Sequence, residues 1–248
     1  MRLPLRYSPN RLVFSRILTA LLLTAAVPLA AVPAWALPAQ ELNTLQQVAK
    51  RQAVELQRRY PTAELSWSEQ MLGPNVITGL QLDVPGDTVE RKALQFIKQN
   101  EGLWGIHGDN LRLWHTTRSR DRSSVRLNLS VPTSAGELLV LDRVVVVTFD
   151  GAGRLITVTS DLVPLGAVQV GSVGEEQARQ LAAHAVFGGR ENQSASTGSA
   201  RLAVVASLQA TQVVWAVDVV ASRVTERFAV LVDGQTGAIV SKRSVAIH

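Results

Sequence analysis

Two stretches of the sequence share the pattern of a tight β-hairpin. Val144–Pro164 reads VVVVTFDGAGRLITVTSDLVP, and Phe228–Ser244 reads FAVLVDGQTGAIVSKRS. In each, β-branched residues precede an Asp-Gly pair, a second glycine follows, and another strand-like run comes after it. Glycine adopts the positive φ that tight hairpin turns require. The predicted turn residues are Asp150, Gly151 and Gly153 in the first hairpin, and Asp233, Gly234, Thr236 and Gly237 in the second.

The positive charge of the chain is concentrated at its N-terminus. The 248 residues carry 25 basic and 20 acidic side chains, a net charge of +5. Four arginines lie before residue 37, where there is no acidic residue, so 21 basic side chains face 20 acidic ones in the rest. We therefore predict no nucleic-acid partner, because such proteins present a broad basic surface.

The N-terminal 36 residues have the features of a secretory signal. Arginines precede the apolar stretch Ile17–Ala36, which ends in Ala34-Trp35-Ala36, a small-x-small cleavage pattern. We predict a signal peptide over 1–36 and a secreted or periplasmic protein that meets the membrane only through this segment. The alternative is an uncleaved anchor, because the stretch is long enough to span a bilayer. The chain contains no cysteine, so disulfides cannot stabilise the exported protein. An exported protein without disulfides fits a bacterial origin.

The mature chain alternates helical and strand patterns. Three amphipathic helices are predicted: one over Gln40–Tyr60, one that begins near Asp87 with Glu90 completing a capping box, and one after the capping box Ser172–Glu175. Strands are predicted at Ala63–Trp67, Val76–Leu82, Leu111–Thr117, Ser124–Val131, Leu138–Leu141, Leu202–Leu208 and Gln212–Val220. The Ser- and Gly-rich segment 188–200 is predicted to be a mobile loop.

The order helix, strands, Asp-Gly hairpin occurs twice. It predicts an α+β fold of two units, each an antiparallel sheet packed on a helix. The N-terminal amphipathic helix precedes the two units. The predicted boundaries are 37–69 for that helix and its lead-in, 70–165 for the first unit and 166–248 for the second. Arg118, Arg120 and Arg122 occupy the connection TRSRDRS, where they could hold an acidic partner or only form a charged hairpin tip.

The sequence contains no recognisable catalytic or metal-binding motif. His107, His115, His184 and His248 lack the i, i+4 spacing of a helical zinc site, and Gly-x-Ser-x-Gly, Walker and dinucleotide motifs are absent. Asp150 and Asp233 lie in predicted turns, where aspartate usually accepts backbone N–H bonds. We therefore predict a protein that is not an enzyme, has no catalytic residues, metal or cofactor, and acts by binding.

Several segments resemble the propeptide region of thermolysin-like metalloproteases. Gly73–Gly79, Ala93–Ile97 and Val144–Pro164 are similar to the fungalysin/thermolysin propeptide domain. EEQARQLAAHA, VVWAVDVV and VLVDGQTGAIVSKRS are similar to the PepSY domain that follows it. The resemblance runs from about Gly73 to the C-terminus and does not include a peptidase domain. It implies a cystatin-like fold for each unit and a role as inhibitor or folding assistant of an exported zinc metalloprotease.

The C-terminal tail is the predicted partner-binding segment. An extended segment that leaves an edge strand pairs through backbone hydrogen bonds as substrates do. The residues predicted to bind the protease are Lys242, Arg243, Ser244, Val245, Ala246, Ile247 and His248.

Two alternatives remain open at the level of sequence. The chain could be a binding or sensor module for a small ligand or an envelope protein, with no protease involved. It could also be the released part of a longer precursor rather than a protein that acts in trans.

Overall fold

The computed structural model describes residues 37–188, 195–221 and 227–245. The predicted signal at 1–36 lies outside this range, as do Ala246, Ile247 and His248 of the predicted tail. The described part holds three α-helices and ten strands. The helices are α1 Ala39–Arg59, α2 Val89–Gln99 and α3 Glu175–Phe187, and the strands are β1 Glu64–Trp67, β2 Pro74–Thr78, β3 Leu111–Arg118, β4 Arg122–Thr133, β5 Gly136–Asp150, β6 Leu155–Ser160, β7 Ala195–Ala206, β8 Thr211–Ala221, β9 Arg227–Asp233 and β10 Ile239–Val245.

The strands form one large curled sheet. Its order is β1-β2-β6-β5-β7-β8-β9-β10, and β3 and β4 extend it from the other edge of β5. Neighbouring strands are antiparallel except at the junction of β5 and β7, which is parallel. The α+β class agrees with the sequence, whereas the two predicted sheets are joined into one. The cystatin-like form implied by the resemblance is not established by this topology.

Strand β5 joins two halves of the sheet: the first half consists of β1 to β4 and β6, and the second half consists of β7 to β10. Its Val145–Phe149 part pairs with β6, and Val140 pairs with Val204 of β7. Between these parts Asp142 has a φ of +56°, a conformation that aspartate tolerates better than most residues. Arg143 follows, and its guanidinium donates to the carbonyl of Ala206 at 2.6 and 3.0 Å. The sequence predicted separate strands here because the polar Asp142 interrupts the apolar run.

Helices α1 and α2 pack on the first half of the sheet. Ala53 and Leu56 of α1 and Phe96 and Ile97 of α2 belong to one buried cluster that includes Leu127 of β4. Residues of the second half, Val204, Ala206 and Val213, are also part of this cluster. The core of the first half therefore extends into the second half of the sheet.

The N-cap of helix α2 is Thr88, one residue after the predicted cap Asp87. Thr88 is extended, and its hydroxyl accepts the backbone N–H of Arg91 at 3.2 Å. Asp87, the predicted cap, instead pairs with the Arg91 guanidinium at 3.0 Å. Both side chains suit an N-cap, and the backbone conformation decides which one serves.

Helix α3 packs on the second half of the sheet. Ala178 and Ala182 face a cluster of valines from β8 and β9, which are Val217, Val219, Val230 and Val232. The predicted capping box at Ser172–Glu175 is wrong, because the N-cap is Gly174 and no side chain caps the helix. The predicted end is confirmed, since Gly188 takes the left-handed conformation and its N–H donates to the His184 carbonyl at 2.8 Å.

The segment predicted to be a mobile loop, 188–200, is strand in its last six residues, and 189–194 lie outside the described residues. Strand β7 begins at Ala195 and pairs with β8 as far as Ala206. Cross-strand pairing overrides the Ser- and Gly-rich composition there. No helix among residues 37–188, 195–221 and 227–245 combines the length and apolar character needed to cross a bilayer.

Candidate functional site

Asp150 closes the first hairpin turn. One carboxylate oxygen accepts the N–H groups of Ala152 at 3.0 Å and Arg154 at 2.9 Å, and the other faces the Arg154 guanidinium at 2.8 Å. The backbone N–H of Arg154, with its side chain and charge, holds the pKa of Asp150 below its usual value despite partial burial. Gly153 has a φ of +77°, whereas Gly151 does not adopt positive φ.

Asp233 has the same role in the second turn, in a more buried position. It is 5% exposed, and one oxygen accepts the N–H groups of Gln235 and Thr236 while the other accepts the Gln212 amide. Burial raises the pKa of Asp233, but these hydrogen bonds outweigh it and the pKa is lowered overall. Gly237 has a φ of +75°, whereas Gly234 approaches β8 closely and donates to the Val213 carbonyl at 2.9 Å. Both carboxylates accept backbone hydrogen bonds of their own turns.

The remaining titratable residues form no metal-binding cluster in the described part of the chain. His184 is exposed on α3, and His115 is exposed on β3. A hydrolytic constellation needs a nucleophile or an activated water within hydrogen-bond reach of a base.

The predicted tail begins within the last strand of the sheet. Lys242, Arg243, Ser244 and Val245 belong to β10, which pairs with β9 on one side and with no described strand on the other. Six of its seven residues are exposed. A strand with one edge paired and one edge free is held extended while its outer N–H and C=O groups remain open to another chain.

The two faces of β10 differ. Lys242 lies opposite Val230 and donates to the carbonyl of Ala185 at 3.1 Å, so it faces α3. Arg243 lies opposite Ala229 and therefore points to the other side of the sheet. We call that side the open face, because α3 covers only the opposite one.

The open face contains a shallow groove of about 420 Å³. Strands β7 to β10 form its floor and the Leu141–Asp142 bend of β5 lies at its end. Its charged side chains are Asp142, Arg201, Asp218, Arg227 and Arg243. The Arg227 guanidinium lies 2.6 Å from the carboxylate of Asp218, and the hydroxyl of Ser199 donates to the same carboxylate at 2.7 Å.

The arginines dominate the electrostatics of the groove. Burial raises the pKa of Asp218, but the hydrogen bonds from Arg227 and Ser199 and the charges of Arg227 and Arg201 lower it overall. Asp218 is therefore ionised and paired with Arg227, whereas Arg201 and Arg243 form no ion pair with any described residue. Arg243 was predicted as a site residue, whereas Arg201, Asp218 and Arg227 were not. Of these three, only Asp218 lies within a predicted strand, Gln212–Val220.

No protein-family model and no curated protein matches the sequence. Among solved structures, the chain is similar to the Bacillus megaterium YpeB C-terminal domain, at 11% sequence identity and a TM-score of 0.35 over 81% of this chain and 97% of that one. A similarity of this degree does not assign the chain to a family or a function.

Proposed function

We propose that this chain is an exported, non-enzymatic protein that binds a thermolysin-like zinc metalloprotease as an inhibitor, a folding assistant, or both. The observation that carries the proposal is the outer edge of β10, a strand that is almost entirely exposed and whose outer edge pairs with no described strand. The resemblance of the hairpin segments to thermolysin-type propeptides supplies the class of partner.

The free edge suits the cleft of an endopeptidase because such clefts hold substrates as extended strands. Pairing with β10 would place backbone groups of the inhibitor where substrate backbone normally lies. The inner edge of β10 is fixed by β9, and Lys242 ties the strand to the end of α3. The strand is therefore ordered before binding, which reduces the entropy lost on association.

The open face supplies specificity in this proposal. Arg243 and Val245 lie on one side of β10, and Arg201 lines the same groove from β7, three strands away. Arginine side chains recognise carboxylates through two parallel hydrogen bonds. A protease with acidic residues beside its cleft would meet this face, whereas Lys242 and Ser244 point to the side of α3.

Inhibition assays with the chain from residue 37 onward test the proposal. We expect complex formation on size exclusion and reduced peptide hydrolysis by at least one member of a panel of thermolysin-type peptidases. The double variant Arg243→Glu/Val245→Asp should weaken inhibition by about tenfold, which corresponds to about 1.4 kcal/mol. Ser244→Asp, on the other face of the same strand, is the matched control and should inhibit like the wild type.

Unchanged hydrolysis across the panel together with no complex would refute the proposal. Equal inhibition by the wild type and the double variant would exclude the open face of β10 as the contact. A folding role has a separate readout: the yield of active peptidase refolded with and without the chain.

The groove itself favours a second candidate, a module that binds a small anionic ligand. Its volume of about 420 Å³ lies within the range of small-molecule sites, about 300 to 1,000 Å³. Thermal shifts of the wild type and Arg201→Gln with a panel of dicarboxylates and phosphates would test it. A stabilisation that depends on Arg201 and is independent of any peptidase would favour this function over the first.

A further inference from the structure

Strand β3 forms another edge of the sheet. It belongs to the first half of the sheet, whereas β10 belongs to the second half. It pairs only with β4, and no described strand lies against its other side. The consecutive residues Arg112, Leu113, Trp114 and His115 are all exposed. Such an edge offers unpaired backbone groups over several residues.

A β-bulge presents a tryptophan on this edge. Leu113 pairs with Leu127 and His115 with Arg126, so Trp114 has no partner residue on β4. Trp114 is 59% exposed and Leu113 is 51% exposed. Bulges and charged side chains commonly protect an edge from pairing with another chain. Two large apolar side chains at the bulge have the opposite effect, and tryptophan is enriched among the residues that dominate binding energies.

The same hairpin carries an excess of arginine. Residues 111–133 contain one acidic side chain, Asp121, and five arginines, at positions 112, 118, 120, 122 and 126. Arg112 pairs with Glu137 at 2.7 Å and Arg118 with Glu90 at 2.5 Å. Within the described residues the other three arginines form no ion pair, and all three are exposed. The basic residues here are all arginine, the side chain whose planar fork matches a carboxylate.

The arginines and the exposed apolar pair on β3 favour some classes of binding partner over others. A second copy of the chain at this edge would place arginines against arginines, which is unfavourable. An anionic membrane would be met by the hairpin tip, but Leu113 and Trp114 lie in the middle of β3 and not at the Ser119–Asp121 tip. A membrane also makes no use of free strand N–H and C=O groups. An extended acidic peptide matches the edge, the apolar pair and the arginines together.

We propose that β3 is a docking edge for an extended acidic segment of another protein, independent of the protease-binding role of β10. The segment adds a strand beside β3 through backbone hydrogen bonds. An apolar side chain of the segment packs on Trp114 and Leu113, and its carboxylates pair with Arg120, Arg122 and Arg126.

Fluorescence anisotropy with labelled heptapeptides and the chain from residue 37 onward tests this proposal. The probes are a peptide of alternating glutamate and valine, its lysine and valine counterpart, and the acidic peptide with proline at its central position. We expect the acidic peptide to bind, the lysine peptide not to bind, and the proline peptide to bind weakly because it lacks a backbone donor. Added salt should weaken binding, since exposed charges are screened.

Matched variants locate the contact. Trp114→Ala should weaken binding by about tenfold or more, whereas Trp67→Ala, which removes a 44% exposed tryptophan from edge strand β1, should have no effect. Arg122→Glu/Arg126→Glu should abolish binding, and Arg59→Glu on α1 should not. Circular dichroism would verify that each variant is folded.

Equal affinity for the three peptides, no binding of the acidic peptide, or wild-type affinity of Trp114→Ala would each overturn the proposal. Binding to phosphatidylserine vesicles that requires Trp114, without peptide binding, would also overturn it and would assign the edge to a membrane surface.

Discussion

The two halves of the sheet use the same plan with different core residues. In the first half the large side chains Trp104, Phe96 and Phe149 are fully buried with leucines and isoleucines. In the second half the buried cluster consists of alanines and valines, and its larger members Leu181, Trp215 and Phe228 are only half-buried. Apolar area removed from water sets most of the hydrophobic stabilisation. The second half is therefore the weaker half, and it is also the one that carries β10.

The shared cluster limits this difference. Val204, Ala206 and Val213 of the second half belong to the core of the first. The junction strand β5 also hydrogen-bonds to both halves. We therefore expect one cooperative unfolding transition in which the second half opens locally at lower free energy. Hydrogen exchange would show this as faster exchange in β9 and β10 than in β4 and β5.

Truncation of a core residue in each half should show the largest contrast. Phe96→Ala should cost about 4 kcal/mol, in the range for buried phenylalanine. Val232→Ala should cost about 2 kcal/mol, because this substitution deletes less buried apolar surface than Phe96→Ala does. Urea unfolding of both variants measures the difference. Equal losses would mean that the valine cluster packs as efficiently as the aromatic one.

Gly171 lies in the segment before α3 and packs against the turn between β9 and β10. A Cβ at this position would lie 1.9 Å from the carbonyl oxygen of Gly234, which is backbone and cannot move aside. Gly171→Ala should cost about 3 kcal/mol, the upper range for overpacking. Gly151→Ala in the first turn is the control, because its Cβ would meet only ordinary contacts at 3.6 Å. A neutral Gly171→Ala would show that the lead-in to α3 is free to shift.

The local elements were largely predictable, because their signals lie in short stretches of sequence. The β-branched runs and Asp-Gly turns predicted both hairpins, and the pairing of β5 with β6 and of β9 with β10 confirms them. Gly188 predicted the end of α3. The helix caps were missed by one or two residues, since Asp87 and Ser172 are good capping residues that the backbone does not place at the cap.

The joining of the sheets was not predictable from local pattern. It depends on Val140 meeting Val204 and on a positive φ at Asp142, neither of which leaves a periodic signal. The same holds for the groove, because the pairing of Arg227 with Asp218 depends on the register of β8 and β9. The bulge at Trp114 likewise follows from an offset between two strands that composition does not encode.

Each half has one tryptophan whose indole N–H donates to a backbone carbonyl. Trp104 donates to Pro74 at 2.9 Å and is 1% exposed, whereas Trp215 donates to Val173 at 2.8 Å and is half-buried. Trp104→Phe leaves the Pro74 carbonyl buried without its donor and should cost about 2 kcal/mol. Trp215→Phe should cost about 1 kcal/mol, since water can replace the donor. Thermal unfolding of the pair measures the contrast, and a larger loss for Trp215→Phe would contradict it.

The two turn aspartates should differ in their dependence on pH. Both have a pKa lowered from the ordinary value of 3.8. A lowered pKa in the folded state stabilises the protein above the unfolded pKa, and this contribution is lost as the pH falls through the folded pKa. Asp233→Asn should therefore destabilise the protein at pH 7, and its difference from the wild type should shrink below about pH 4.

Asp150→Asn is the matched control for this titration. Its turn is more open to water, which can satisfy the N–H groups of Ala152 and Arg154 once the charge is removed. We expect a smaller difference from the wild type at pH 7 with the same sign of change at low pH. Urea unfolding between pH 7 and pH 2.5 would measure both. A difference for Asp233→Asn that stays constant across this range would mean that its hydrogen bonds stabilise the turn equally well when the carboxyl is protonated.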